Sequence, residues 1–548
     1  MTKHMPAPLP EEGENTMMDV LRRISRRRTP QARPADERQV ANAAGGYTFA
    51  TSDDAHLHRF LTLGTSGGTY YTSAETLTRE AADVVFASAA TDPIRLVQRI
   101  VEISEAARAP KQNPALFALA IAASCEDVDG RRAACAALPR VARTGTHLFQ
   151  FANYVEQFRG WGPALRRSVG SWYLDKPVDQ LAYQVVKYRQ RDGWTHRDLL
   201  RLAHPKATAA DRRALFDFVV RGAGGVELPA IVQDFLAVQA AEKPAQWVEI
   251  VGRGHGLSWE MLPDAALNLP EVWEALLDKG VPQTALLRQL PRLTRLGLLS
   301  GSTGRAVAAQ LQDAARLRKA RVHPVNVLVA ARTYASGRSD RGHGTWTPEP
   351  RIVDALDAAF YAAYGAVEPS GGRVLLALDI SGSMDCRISG MPLTCREASA
   401  ALALVSANVE TDYQAIGFTA GVDWRKPGIT RLDITARRRL DDVCRYTAGL
   451  PMGGTDCALP MVWALKNRLA FDAIHIYTDN ETWYGDIHPH QALAEYRQKM
   501  GLDTRLVVVG MTGTSNSIAN PSDPRQLDVS GFDSAVPQLL SDFTAGRL

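Results

Sequence analysis

Long apolar runs are missing from this chain of 548 residues. No stretch approaches the roughly 18 uninterrupted apolar residues that a bilayer span needs, and the N-terminus lacks the apolar core of a signal peptide. The expectation is a cytoplasmic protein with no membrane partner. Cysteine is sparse, and its six copies (Cys125, Cys135, Cys386, Cys395, Cys444, Cys457) include no Cys-x-x-Cys pair, which argues against a disulfide scaffold and a zinc site. They read as reduced thiols, with Cys386 and Cys457 packing near the loops described below. Catalytic signatures are also missing. No Gly-x-Ser-x-Gly elbow occurs, Gly252-Arg253-Gly254-His255-Gly256 lacks the Lys-Ser/Thr of a phosphate loop, and His488-Pro489-His490 has no second ligand cluster. No histidine is placed beside Ser383 as a base, so no catalytic residue is assigned and no turnover is expected.

What is present is apolar material for more than one core, at 45% hydrophobic and 22% charged residues. The net charge of +4 is unevenly spread. Residues 371–548 carry 17 Lys/Arg against 20 Asp/Glu, whereas Arg131 to Gly222 alone carries 17 against 7. Such a local surplus is the footprint of a polyanion partner.

Three regions follow from composition and periodicity. Residues 1–40, with the run Arg22-Arg23-Ile24-Ser25-Arg26-Arg27-Arg28, read as a disordered basic arm. Residues 41–370 are helical almost throughout from about Ser73, broken at Asp92-Pro93, Asn113-Pro114, Asp192-Gly193, His204-Pro205 and Gly222-Ala223-Gly224-Gly225. The segment lengths suit stacked HEAT-type pairs, although no residue period is visible and an irregular bundle would show the same pattern. Residues 371–548 alternate strands (Val374–Asp379, Tyr413–Phe418, Ala473–Tyr477, Thr504–Val509) with helices, as in a doubly wound parallel sheet.

At the end of the first of those strands, Asp379-Ile380-Ser381-Gly382-Ser383 sets a carboxylate and two hydroxyls on alternate residues before a glycine-permitted bend. A plain turn would use the same residues. Thr455, in Gly453-Gly454-Thr455-Asp456, and Asp479, in Thr478-Asp479-Asn480-Glu481, fall on two further loops at the same sheet edge. Oxygen-only donors suit Mg²⁺, with Mn²⁺ the alternative, rather than zinc. The order Asp379/Ser381/Ser383, Thr455, Asp479 resembles the metal-ion-dependent adhesion site of von Willebrand factor A domains. That resemblance implies metal contact by the serines and threonine, partly water-mediated roles for the aspartates, and one position open to a partner's oxygen ligand.

In the basic region, Leu181 to Arg191 reads as an amphipathic helix with Lys187 and Arg191 on one face. Thr195-His196-Arg197-Asp198 resembles a capping box opening a helix that carries Arg197 and Arg201. A solvated face is one reading. RNA is the other, with Trp161, Trp172, Tyr173, Tyr188 and Trp194 interleaved for base stacking.

Gly45-Gly46-Tyr47, Phe60 to Gly64, Gly67-Gly68-Thr69-Tyr70-Tyr71, Lys187-Tyr188 through His204-Pro205, Trp259-Glu260-Met261-Leu262-Pro263 and Arg321-Val322-His323-Pro324 recur in the order of a TROVE module. With the A domain behind them, the chain resembles bacterial members of the Ro autoantigen family. The resemblance implies a monomeric ring of helical repeats closed by the A domain. Its central hole would take single-stranded 3′ ends of misfolded or immature noncoding RNA, and its outer surface would bind Y RNA. An exoribonuclease such as polynucleotide phosphorylase would act as partner. Family Y RNA contacts map onto Lys187, Arg191 and His204, while Arg143, Thr144, Thr146 and His147 are further candidates for RNA contact or for helix capping. A metal-dependent protein adaptor is the alternative function, and a metal-dependent nuclease a third.

Overall fold

The computed structural model describes residues 28–64, 74–222, 227–339, 343–388, 392–420, 428–450 and 452–548, without the side chains of 74–81. The Gly67–Tyr71 segment, the arginines before Arg28, the break after Gly222 and parts of the Gly337–Gly344 and basic Gly421–Arg439 segments therefore lie outside the described residues.

Helices stack in two rows through the first half. One row begins at positions 93, 128, 163 and 196, the other at 113, 145, 178 and 210, so each row repeats every 32 to 35 residues. In the first row each helix packs on the next, and in the second Asn113–Ala122 packs on Gly145–Phe158. The repeat is one of spacing and burial. Stacked pairs need only an apolar stripe facing the neighbour, which leaves the other positions free to vary.

The row closes on itself. His323 caps the helix Pro324–Ala335 by accepting from the Val325 N–H at 3.2 Å through Nδ1, and its Nε2 lies 3.1 Å from the carbonyl of Arg108. Asn326 Nδ2 donates to the Pro110 carbonyl at 3.2 Å. The last helices thus meet the first ones directly, 215 residues apart in the chain. Burial lowers the His323 pKa to about 4, which keeps the ring neutral and leaves one nitrogen to accept and one to donate.

The second region is a six-stranded sheet. With β1 (Gln39–Ala41), β2 (Tyr47–Ala50), β3 (Gln190–Arg191) and β4 (Trp194–Thr195) before them, its strands are β5 (Arg373–Asp379), β6 (Asp412–Phe418), β7 (Ile429–Arg431), β8 (Ala473–Thr478), β9 (Arg505–Gly510) and β11 (Gln526–Ser530). Their order is β11-β9-β8-β5-β6-β7, parallel except for β7. Leu375, Ala377, Ile474, Ile476, Leu506 and Val508 are buried on one face, with the alternate residues buried on the other. Burial on both faces explains the near-continuous apolar runs. The four expected strands are present, while β7, β11 and the short β10 (Asn516–Ser517) were not foreseen.

The expected disordered arm is corrected from Arg28 onward. Gln31 Nε2 donates to Asp456 Oδ1 at 2.6 Å and to the Ile487 carbonyl at 2.9 Å, Arg28 pairs with Glu495, and β2 pairs with β10. The reason is polar complementarity: buried Asp456, Thr482 and His488 need partners, and residues 28–50 supply them. The second glycine of the Gly45-Gly46 pair is required there, since a Cβ on Gly46 would stand 1.9 Å from the Thr482 carbonyl oxygen.

The sheet domain also clasps the first helices. Asp533, its side chain 4% exposed, accepts from Arg108 Nε at 2.9 Å and lies 2.7 Å from His58 Nε2. Burial opposes the charge, but the bonds from His58 and Arg108 outweigh it and hold the carboxyl down at about 2. A depressed carboxyl pKa contributes stability that is complete above the unfolded value of 3.8 and is lost as pH falls through about 2. Asp533→Asn is therefore expected to cost about 2 kcal/mol at neutral pH and to flatten the acid limb between those values. Urea unfolding across that pH range measures both.

Candidate metal centre and nucleic-acid interface

The three oxygen-bearing loops converge because β5 and β8 are neighbours and the third loop is hooked to both sides. Gly454 and Ala420 exchange backbone bonds at 2.7 Å beyond the end of β6, and the Gly382 N–H donates to the Gly453 carbonyl at 3.2 Å. Asn480 adopts φ +66°, tolerable for asparagine, and turns the chain sharply after Asp479.

Asp379, Ser381, Ser383, Thr455 and Asp479 are all at most 2% exposed. Ser381 Oγ and Ser383 Oγ lie 3.1 Å apart, and the Ser381 N–H donates to Asp379 Oδ1 at 2.9 Å. Thr478 Oγ1 donates to Asp379 Oδ2 at 2.7 Å, and the Glu481 N–H donates to Asp479 Oδ1 at 3.0 Å. Two oxygens are left over. Thr455 Oγ1 and Asp479 Oδ2 are buried with no hydrogen-bond partner. Burial raises both aspartate pKa values, and the neighbouring Asp479 adds to the effect on Asp379. Two carboxylates and three hydroxyls, two of their oxygens orphaned, fit a small hard divalent cation, which would satisfy those atoms and the paired negative charge together.

The loops are held from behind by Arg396, which is 1% exposed and donates to the carbonyls of Ile380 and Ser381 at 3.1 Å. In front stand exposed apolar groups: Met452 at 53%, Trp483 at 36% and Tyr484 at 45%. The N–H groups of Trp483 and Tyr484 both donate to the Thr455 carbonyl. Trp483 also packs along Gly454.

In the basic region the expected helix over Leu181–Arg191 is corrected. It runs Val178–Lys187, and Gln190–Arg191 pair with Trp194–Thr195 as β3 and β4. Asp192 (φ +51°) and Gly193 (φ +81°) form the two-residue turn, an Asp-Gly hairpin signal that outcompetes the helical periodicity. Lys187 and Arg191 consequently do not share a helix face. Lys187 Nζ donates to Tyr183 Oη at 2.7 Å and lies 3.8 Å from Glu260, with its side chain 8% exposed. Arg191 is 57% exposed and lies 3.5 Å from Asp192. His204 ends the helix His196–Ala203 in a left-handed conformation at the surface.

The capping box is present: Thr195 and Asp198 exchange side-chain-to-backbone bonds. It places Arg197 and Arg201 on an exposed face. Among the described residues the exposed Arg166, Arg167, Arg189, Arg197, Arg201 and Lys206 have no ion-pair partner. Arg189, Arg197 and Arg221, with Phe218 and Phe235, line a cavity of about 460 Å³.

Two of the further candidates are engaged internally. Thr144 caps the helix Gly145–Phe158, and Arg143 donates to the Ser104 carbonyl at 3.0 Å and Gln112 Oε1 at 3.2 Å. Burial lowers the His147 pKa to about 4, and its Nδ1 has no hydrogen-bond partner. Thr146 is half-buried. The expected aromatic platform is corrected too. Trp172 and Tyr173 are fully buried, Tyr173 Oη lying 2.7 Å from His196 Nδ1, because the apolar mass of these rings outweighs their stacking use at a surface. Trp161 and Trp194 pack on each other at 5.5 Å.

Residues 40–225 and 253–333 match the TROVE domain, and residues 373–544 match the Ro60 vWA domain. The chain belongs to the Ro60 family. It is 41% identical to the RNA-binding protein RO60 of Deinococcus radiodurans, covering 97% of this chain and all of that one. It is 34% identical to the Caenorhabditis elegans protein of the same name, over 98% and 95% of the two chains. The crystal structure of the Deinococcus radiodurans Ro protein superposes with a TM-score of 0.68 at 40% identity, over 91% of this chain and all of that one.

Within this Ro60-family chain, sequence reasoning missed Thr478, Arg396 and the segment from Gln31 to Asn42. Thr478 could have been found, since it ends β8 directly beside Asp379 in register with β5. The sequence carried no local signal for the other two. The motif residues Lys187 and Glu260 turn out to meet each other, which makes Lys187 part of the packing. Lys187→Ala should lower stability by about 1–2 kcal/mol, whereas Arg191→Ala should stay within about 0.5 kcal/mol. Chemical denaturation of the two variants separates the buried cation from the exposed one.

Proposed function

We propose that this chain is a noncatalytic RNA-binding protein of RNA quality control. It holds Y RNA on the outside of the helical ring and takes 3′ ends of misfolded or immature noncoding RNA in the central opening, in the cytoplasm, with a partner exoribonuclease completing the processing. The observation that carries this reading is the set of exposed cations from Arg166 to Lys206 that have no ion-pair partner among the described residues. Arginines left unpaired on a surface repel one another and are compensated by phosphates. The names of the relatives support RNA as the polyanion. Arg191, Arg197, Arg201 and His204 meet the RNA, and Lys187 shapes the surface beneath them through Tyr183 and Glu260. Filter binding of a Y-like RNA should weaken for Arg197→Ala/Arg201→Ala, and the slope of log affinity against log salt should fall by about 1 for each phosphate no longer neutralised. Unchanged affinity together with an unchanged slope rejects the assigned surface.

The same reading gives the oxygen-lined loops a Mg²⁺ ion, or Mn²⁺ in its place, bound through Ser381, Ser383 and Thr455 with Asp379 and Asp479 behind. When bound, the cation would offer its Lewis acidity to an oxygen ligand from a partner. Removing an unpaired buried hydroxyl relieves a desolvation cost of about 1–3 kcal/mol. Thr455→Val should therefore melt at or above the wild-type temperature in EDTA and gain less than the wild type when Mg²⁺ is added. Equal Mg²⁺ gains in the two proteins would remove Thr455 from the site.

A protein-adaptor reading is favoured by one feature, the exposed Met452, Trp483 and Tyr484 beside the metal loops. Pull-downs with and without ribonuclease distinguish the two. Partners that persist after RNA digestion and leave on Asp379→Ala belong to the adaptor, and partners released with the RNA belong to the leading function.

A further inference from the structure

Two cysteines outside both candidate sites lie side by side. Cys386 Sγ and Cys395 Sγ are 3.3 Å apart, the first half-buried and the second buried. Among the described residues no other two sulfur atoms of cysteine are in such contact. The backbone fixes the arrangement. Arg387 and Thr394 are antiparallel bridge partners, the Ile388 N–H donates to the Leu393 carbonyl at 2.9 Å, and the Cys395 N–H donates to the Cys386 carbonyl at 3.0 Å.

Residues 386 and 395 therefore flank an isolated antiparallel bridge, with Cys395 already the first residue of the helix Cys395–Val409. A disulfide holds its sulfurs about 2.05 Å apart, so the pair, now at 3.3 Å, must close by roughly 1.3 Å.

We propose that Cys386 and Cys395 form a reversible oxidation site whose co-substrate is a peroxide. Cys386, the more accessible sulfur, attacks the peroxide and gives up its thiol proton. The O–O bond breaks, Cys386 becomes a sulfenic acid, and the distal oxygen leaves as water carrying that proton. Cys395 then attacks the sulfenic sulfur, forming the S–S bond, while hydroxide departs and takes the Cys395 proton as a second water. Two thiols and one hydrogen peroxide give one disulfide and two waters, and an external dithiol reverses the change.

The position gives the bond a mechanical meaning. The Cys386 N–H donates to the Ser383 carbonyl at 3.1 Å, so Cys386 closes the turn that carries Ser383. Cys395 opens the helix whose next residue, Arg396, holds the backbone of Ile380 and Ser381. A disulfide would therefore fasten the front of the loop to its support.

Full-length reduced protein is treated with stoichiometric hydrogen peroxide, alkylated under denaturing conditions and mapped by mass spectrometry. The expected result is that two of the six thiols escape alkylation and appear as a Cys386–Cys395 linked peptide lacking two hydrogens, restored by dithiothreitol. With Cys395→Ser, a sulfenic-acid trap should label Cys386 and no linked peptide should form. The proposal is overturned if both thiols remain alkylatable at a peroxide dose that oxidises half-buried Cys125, or if the linked peptide joins other cysteines. The wild-type map decides the linkage without relying on how either variant folds.

Discussion

The ion pair between Arg108 and Asp533 is the interaction on which the architecture depends. Stacked helical repeats touch only their neighbours and are open-ended, so nothing in their packing dictates where the stack stops. Here the first repeats are clasped by the sheet domain through a buried carboxylate, and the same Arg108 offers its carbonyl to His323 at the far end of the stack. One residue thus joins the beginning of the array, its end and the domain behind it. A buried pair of this kind is stable only when both partners are present, which couples closure to the integrity of all three parts.

The distribution of charge in the two regions is opposite. In the sheet domain, two acidic groups are sealed off, with Asp379 and Asp479 buried among hydroxyls and two oxygen atoms unpartnered. In the helical region, the exposed Arg166, Arg167, Arg189, Arg197, Arg201 and Lys206 have no ion-pair partner among the described residues. Each arrangement would be relieved by a ligand of the complementary sign. That contrast links the fold to the proposed function, since unsatisfied groups mark where a structure awaits something else.

Much of this was legible in the residues. The doubly wound sheet followed from apolar runs alternating with helical segments, and the convergence of Asp379, Ser381, Ser383 and Asp479 was legible because their loops follow β5 and β8, whereas Thr455 precedes a helix. The helical stack was legible as a pattern but not as a period, since its 32 to 35-residue repeat is carried by helix spacing and burial. The Asp192-Gly193 turn was misread as the end of a helix although the dipeptide is a strong hairpin signal, because Lys187 and Arg191 at helical spacing gave a competing pattern. What stayed hidden was long-range: Trp172 and Tyr173 at the core, Lys187 against Glu260, and Gln31 against Asp456 depend on partners up to 425 positions away, about which local propensity is silent.

The strand pairing of β2 with β10 bears on how the molecule comes into being. Residues near position 50 complete an edge with residues near 516, so a segment translated first must wait for almost the whole chain before its hydrogen bonds exist. Contacts of such sequence separation are slow to form, and until they do Thr482 and Asp456 lack their lid. The protein cannot mature by finishing its front half and then its back half. Residues that precede the helical stack are among the last to find their place, and severing the chain between the stack and the sheet would leave both pieces incomplete.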